Sequence, residues 1–130
     1  LDNHIELAAS PEEIRQRVMM MVTDPARRYK RDPGHPEICN LHALHKIFSK
    51  DPDAIAQIET DCRQASIGCV DHKKLFAEDL IRDLAPFRAR RAELASDPGH
   101  IWNVLADGAA RARVIAQETI AEVKSAVGLP

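Results

Sequence analysis

The feature that most constrains this fold is a repeated helix-start signal, in which a capping residue is followed directly by proline. It occurs as Ser10-Pro11, Asp51-Pro52 and Asp97-Pro98. The side-chain oxygen of the first residue can accept a hydrogen bond from the first helical turn, and proline suits the first helical position. Glu13 can complete a capping box with Ser10. Apolar residues recur every three or four positions after each signal, which predicts amphipathic helices.

We therefore predict an all-α protein, a helical bundle of about five helices. The predicted helices cover about 11–22, 36–48, 52–64, 71–94 and 98–127, and residues 4–8 are predicted as a short extended segment. Pro86 should kink or end the fourth helix. Gly68 lies in the break before it and could take a positive φ. Trp102 falls on the apolar stripe of the last helix, which favours a place in the core.

The composition excludes several classes of protein. A chain of 130 residues with a net charge of −2 is long enough for one domain, and its charge argues against binding nucleic acid through the whole surface. No run of 18 apolar residues is present, so no membrane span is expected. The three cysteines are an odd number, which favours buried or metal-bound thiols in a reducing, cytoplasmic setting over disulfides. Because residue 1 is Leu and not Met, we expect a fragment or a processed product.

The cysteine spacing predicts a metal site. Twenty-two residues separate Cys39 from Cys62, six separate Cys62 from Cys69, and two separate Cys69 from His72. Three thiolates and an imidazole suit tetrahedral zinc, and imidazole can replace one thiolate of an iron–sulfur cluster. The alternative is that no metal is bound: the cysteines would be small buried apolar residues, and His72 would be a helical residue without a ligand. His42, one turn beyond Cys39, is a rival for the fourth ligand.

Two groups of cations are candidates for phosphate contact. Arg27, Arg28, Lys30 and Arg31 surround Tyr29 in a proline-bounded loop, and Lys73 and Lys74 follow the predicted metal site directly. Each cation taken singly is more often part of a solvated surface. The sequence contains no glycine-rich phosphate loop and no nucleophile–base arrangement with an orienting partner.

Several ordered segments make the chain resemble the C-terminal part of bacterial tryptophanyl-tRNA synthetase, a class I aminoacyl-tRNA synthetase. The matching segments are Ser10–Ile14, Val22–Pro25, Asp32–Asn40, Ser66–Asp71, Lys73–Leu75, Leu84–Pro86, Ala112–Ala116 and Val127–Leu129. The resemblance implies that the family's KMSKS loop would directly precede Leu1. It also implies that residues 1–24 join the catalytic fold to a helical anticodon-binding domain over 25–130.

The resemblance implies a role and a cofactor. The complete enzyme, expected to be a homodimer, would join tryptophan to tRNA(Trp) with ATP and magnesium. This chain, which lacks that catalytic half, would be inactive alone and would recognise the anticodon region, with Lys73 and Lys74 as phosphate contacts. Some members of the family carry a [4Fe–4S] cluster on four cysteines, of which Cys39, Cys62 and Cys69 match the first three and His72 stands in the fourth place. The cofactor alternatives are zinc or no metal.

Two other functions stay open at this point. The chain could be a stand-alone metal-binding or redox-sensing helical module, or a helix bundle without a site. A reading frame that extends upstream through the HIGH and KMSKS motifs would favour the synthetase.

Overall fold

The computed structural model describes residues 4–130, and the regular elements within that range are all helical. The helices are α1 (Pro11–Met20), α2 (Asn40–Phe48), α3 (Pro52–Arg63), α4 (Cys69–Ser96) and α5 (Pro98–Ala126), and a 3₁₀ turn at Pro36–Ile38 precedes α2. These helices confirm the predicted all-α class. The predicted extended segment at residues 4–8 is wrong, because residues 7–8 form a turn and no strand is found from residue 4 onward. The boundary predicted before Leu1 lies outside the described residues.

The three capping signals start helices where they were predicted. Glu13 N donates to Ser10 Oγ at 3.2 Å and Ser10 N donates to the Glu13 carboxylate at 2.7 Å, which completes the capping box. Asp51 accepts from the Ala54 amide at 2.9 Å, and Asp97 accepts from the His100 amide at 3.0 Å. Each bond satisfies an amide that the first helical turn cannot pair internally. These starts are therefore set by local sequence.

Two details of the second and fourth predicted helices differ. Cys39 is not inside a helical turn but is the N-cap of α2, with an extended backbone after the 3₁₀ turn. The left-handed residue near the end of α3 is Ala65, with φ of 58°, and not Gly68. Ala65 allows the Ser66 and Ile67 amides to donate to Asp61 O at 2.8 and 3.3 Å, which satisfies a carbonyl at the end of α3.

Pro86 neither ends α4 nor divides it into two helices, since α4 continues to Ser96. Proline removes one backbone donor and crowds the preceding turn. Here the Arg88 guanidinium donates to Ile81 O at 2.6 Å, so a carbonyl in the turn before the proline has a side-chain partner. The loss of the Pro86 amide is therefore tolerated inside a continuous α4.

The chain divides into two compact units, of which the first ends at Ala89 and the second is Arg90–Pro130. The boundary predicted after residue 24 is a different division and stays a prediction. The core of the first unit joins α1, α2 and α4. Its most deeply buried large apolar side chains are Ile14, Val18, Leu41, Phe76, Leu80 and Leu84.

The second unit contains the end of α4 and all of α5. None of the residues of α5 is buried, and Trp102 is 70% exposed, so its predicted place in the core is wrong. Apolar residues recur along α5, but such a pattern does not specify what covers them. Gly128, with φ of 71°, ends the helix and allows Leu129 N to donate to Lys124 O at 2.9 Å. Among residues 4–130, no helix is both long enough and apolar enough to cross a membrane.

Candidate functional site

The three cysteines lie at three adjoining element ends of the first unit. Cys39 is the N-cap of α2 and is buried, Cys62 lies in the last turn of α3, and Cys69 is the first residue of α4. Burial raises the pKa of the Cys62 thiol; Arg27 lowers it, and the charges of Cys69 and Cys39 raise it further. Cys69 and Cys39 are therefore near enough to Cys62 to influence its pKa.

Cys62 has the most closely built surroundings of the three. Gly34 N donates to Cys62 O at 2.9 Å, and a Cβ at Gly34 would overlap the Cys62 sulfur. Arg27 Nη1 lies 3.8 Å from that sulfur, within the range of an N–H···S hydrogen bond. Glycine at position 34 therefore leaves space for the Cys62 sulfur. The positive charge of Arg27 would stabilise the thiolate form of Cys62.

His72 belongs to a different set of contacts. We call His42, His45, His72 and Asp79 the histidine cluster. His72 Nε2 lies 3.0 Å from His45 Nδ1, and His45 Nε2 lies 2.9 Å from Asp79 Oδ2. The rings of His42 and His72 meet edge to face, with centroids 5.8 Å apart. This cluster connects α2 to α4 through a buried polar chain, in which each ring nitrogen of His45 is engaged.

The cluster favours uncharged imidazole at His72 and an ionised carboxylate at Asp79. Burial, then the neighbouring His45 and His42, lower the pKa of His72 to about 4. Burial lowers the pKa of His42 as well, against the opposing effect of Glu59. Burial alone would raise the pKa of Asp79, but hydrogen bonds from His45 and Arg82 lower it. A half-buried carboxylate that accepts from both His45 and Arg82 thus ends this polar chain on α4.

The four predicted ligands do not form a metal-binding group as they are placed. Among residues 4–130, no three His, Cys, Asp or Glu side chains are arranged to hold a metal ion. His72 Nε2 is engaged by His45. The rival ligand His42 has its Nε2 3.5 Å from Glu59 Oε2, too far for a well-formed hydrogen bond. The metal site at Cys39, Cys62, Cys69 and His72 therefore stays a prediction.

The two predicted phosphate contacts differ in their surroundings. Lys73 Nζ donates to Met19 O at 2.8 Å, so this side chain connects α4 to the end of α1. Lys74 is exposed, and no hydrogen bond or ion pair involves it in the part of the chain that the structure describes. Of the pair, Lys74 is the one that is available to a ligand.

Two features of this region were missed by sequence reasoning. Asp79 was not recognised as the partner of His45, because 34 positions separate them and no local pattern connects them. Asp24 was not recognised as the anchor of the loop that follows it, although an aspartate beside Pro25 is a known turn signal. Its carboxylate accepts from the Ala26 and His35 amides, both at 2.8 Å.

Comparison with known proteins gives one consistent answer. The chain is 41% identical to the tryptophan–tRNA ligase of Aquifex aeolicus and 37% identical to that of Thermotoga maritima, over 98% of its own length in each case. It spans only about a third of those relatives, 32% and 39% of their lengths. No protein-family model matches the chain.

The fold gives the same answer as the sequence. A crystal structure of tryptophanyl-tRNA synthetase from Campylobacter jejuni superposes with a TM-score of 0.86 at 26% identity, over 98% of this chain and 40% of that one. A second structure of the same synthetase, complexed with ADP and tryptophan, superposes equally well. Over nearly all of its length, the chain is therefore homologous to the bacterial tryptophanyl-tRNA synthetases, in their C-terminal helical region.

Proposed function

We propose that this chain is the C-terminal helical part of a cytoplasmic tryptophan–tRNA ligase and that it recognises the anticodon region of tRNA(Trp). The observation that carries the proposal is the 41% identity to a tryptophan–tRNA ligase over 98% of the chain. In the complete enzyme, a homodimer, tryptophan and ATP would react at the nucleotide-binding fold. The helical part would then contribute to tRNA recognition and not to the chemistry.

The charge distribution supports RNA binding at a local surface. The chain as a whole carries a net charge of −2, so attraction of RNA to its entire surface is weak. Cations are instead concentrated beside the start of α4, where Lys30 Nζ lies 3.3 Å from Asp71 and Lys74 follows on the helix. Such a local patch positions an RNA backbone without binding every polyanion.

A salt-dependence experiment tests this proposal. Lys74→Ala should weaken binding of tRNA(Trp) and reduce the slope of log affinity against log salt by about 1, because one phosphate contact is lost. Lys73→Ala should lower stability, because its ammonium donates to Met19 O, and should leave that slope unchanged in the folded fraction. Affinity is measured by filter binding between about 50 and 200 mM salt. An unchanged slope for Lys74→Ala would place the phosphate contacts elsewhere, and absence of tRNA binding by the parent chain would contradict the proposal itself.

The metal site is a separate proposal, supported by the effect of Cys69 and Cys39 on the pKa of Cys62 and by the space that Gly34 leaves at Cys62. We expect the protein purified without oxygen to contain iron and sulfide, or zinc, held by Cys39, Cys62 and Cys69. His72→Cys should raise iron occupancy, since it supplies the fourth thiolate that clusters prefer. Cys62→Ser is the matched loss-of-ligand control. Elemental analysis and visible absorption give the result, and absence of both metals would refute the prediction.

A further inference from the structure

The loop of residues 27–31, here the cationic loop, is fixed in place by contacts at both of its ends. Asp24 is 5% exposed, and besides its two backbone donors it lies 2.9 Å from His35 Nδ1. It therefore connects Ala26, which directly precedes the loop, to His35, which lies four residues beyond its end. Within the loop, Tyr29 N donates to Asp32 Oδ2 at 2.9 Å and Asp32 N donates to Tyr29 O at 3.1 Å. These bonds hold the backbone around Tyr29 in a defined turn.

Two of the four cations in the loop are engaged by the protein itself. Arg27 donates to Lys30 O at 2.5 Å and approaches the Cys62 sulfur. Lys30 pairs with Asp71, and its stem lies beside Gly68, where a Cβ would be 3.5 Å from Lys30 Cδ. These two side chains fasten the loop to the end of α3 and the start of α4. Both side chains therefore already have partners within the protein.

The remaining side chains project into solvent. Tyr29 is 63% exposed, and the guanidinium carbon of Arg31 lies 5.4 Å from the centre of its ring. Arg28 is exposed and has no hydrogen bond or ion pair within residues 4–130. An exposed aromatic ring with an arginine over it, on a loop that is held from both ends, is arranged in advance for a flat ligand. The free cation beside the ring suits an anionic group on that ligand.

We propose that Tyr29 and Arg31 form a stacking platform for one unpaired base of single-stranded RNA and that Arg28 contacts a neighbouring phosphate. The inference rests on the proposed function, for which it names the contact residues. Unpaired bases stack on tyrosine and on arginine planes, whereas a duplex keeps its bases inside and offers only its backbone. An aromatic platform therefore favours a loop or a single strand over double-stranded RNA.

The composition of the chain makes this testable with one signal. Tyr29 is the only tyrosine, so 3-fluorotyrosine incorporation gives a single ¹⁹F resonance for the platform. Titration with tRNA(Trp), or with a single-stranded RNA of its anticodon-loop sequence, should shift that resonance. A duplex RNA of equal length should not shift it. A resonance that does not respond while tRNA still binds would overturn the platform and leave the proposed function standing. An equal response to duplex RNA would also overturn the platform, and loss of all RNA binding would overturn both proposals.

Variants give an independent measurement. Tyr29→Ala should weaken binding of the single strand by about tenfold, the usual order for one stacked base, while Tyr29→Phe keeps most of the affinity. Arg31→Lys should weaken binding several-fold at an unchanged salt slope, because it keeps the charge and removes the plane. Trp102→Ala is the matched control, since it removes an equally exposed ring from α5. Equal losses for Tyr29→Ala and Trp102→Ala, in variants with unchanged circular dichroism, would overturn the proposal.

Discussion

Lowering the pH from 6.5 to 4 should reduce the free energy of unfolding by about 3 kcal/mol through His72 alone. The pKa of this buried ring is lowered from 6.5 to about 4, and each unit of difference corresponds to about 1.4 kcal/mol. Within this window the unfolded chain binds the proton that the folded chain excludes, so stability is complete above pH 6.5 and falls as the pH falls. The lowered pKa of His42 acts in the same direction. Urea unfolding followed by circular dichroism across this pH range measures the loss.

His72→Gln isolates the contribution of this one ring. The glutamine amide nitrogen can take about the position of His72 Nε2 and donate to His45 Nδ1 across the 3.0 Å contact, but it cannot take up a proton in this range. We therefore expect the variant to lose less stability than the parent between pH 6.5 and 4. Parallel pH profiles for the two proteins would show that His72 is not held uncharged by its surroundings.

Asp24→Ala should lower the free energy of unfolding by about 2–4 kcal/mol and also weaken RNA binding. The substitution leaves the Ala26 and His35 amides without the carboxylate to which they donate, and a hydrogen bond to a charged group contributes about 1.5–3 kcal/mol. It also releases the end of the cationic loop, so Tyr29 and Arg31 lose their fixed turn. Urea unfolding and titration with single-stranded RNA measure the two effects.

Asp107→Ala is the matched control for the loss of a carboxylate. Asp107 is an exposed residue of α5 that pairs with Arg111 at 3.1 Å, and such pairs contribute less than about 1 kcal/mol.

The contributions of Asp24 and His72 to stability are lost in different pH ranges. Burial alone would raise the pKa of Asp24, but hydrogen bonds from His35 and Ala26 bring it below the ordinary 3.8, so its stabilisation is lost only in more acidic solution. An Asp24→Ala variant as stable as the control would show that the loop is held by other contacts.

Helix starts could be predicted closely because their causes are local. Ser10, Asp51 and Asp97 each bond to an amide three residues away, so spacing in the chain is also spacing in the structure. The turn after α3 was less predictable. Glycine tolerates a positive φ more easily than alanine, yet Ala65 takes that conformation, which lets the Ser66 and Ile67 amides reach Asp61 O at the end of α3.

The site was only partly predictable. Spacing predicted that the three cysteines would approach one another, and the structure places them at the N-cap of α2, in the last turn of α3 and at the start of α4. Spacing did not indicate whether His72 would point to the cysteines or to the histidines of α2. A residue three positions after Cys69 on a helix lies close to both groups. A buried ring needs a hydrogen-bond partner, and His45 provides it across 27 positions of sequence.

Sequence alone determined the helical class, the three capped starts and the family resemblance, since capping bonds and apolar periodicity act within a few residues. Tertiary structure decided which polar side chains bond to other parts of the protein and which remain exposed to solvent. Lys73 bonds to α1, whereas its neighbour Lys74 remains exposed, and nothing in the chain order distinguishes the two. The physical reason is that desolvation and hydrogen-bond partners depend on the packing of distant segments, which no local pattern encodes.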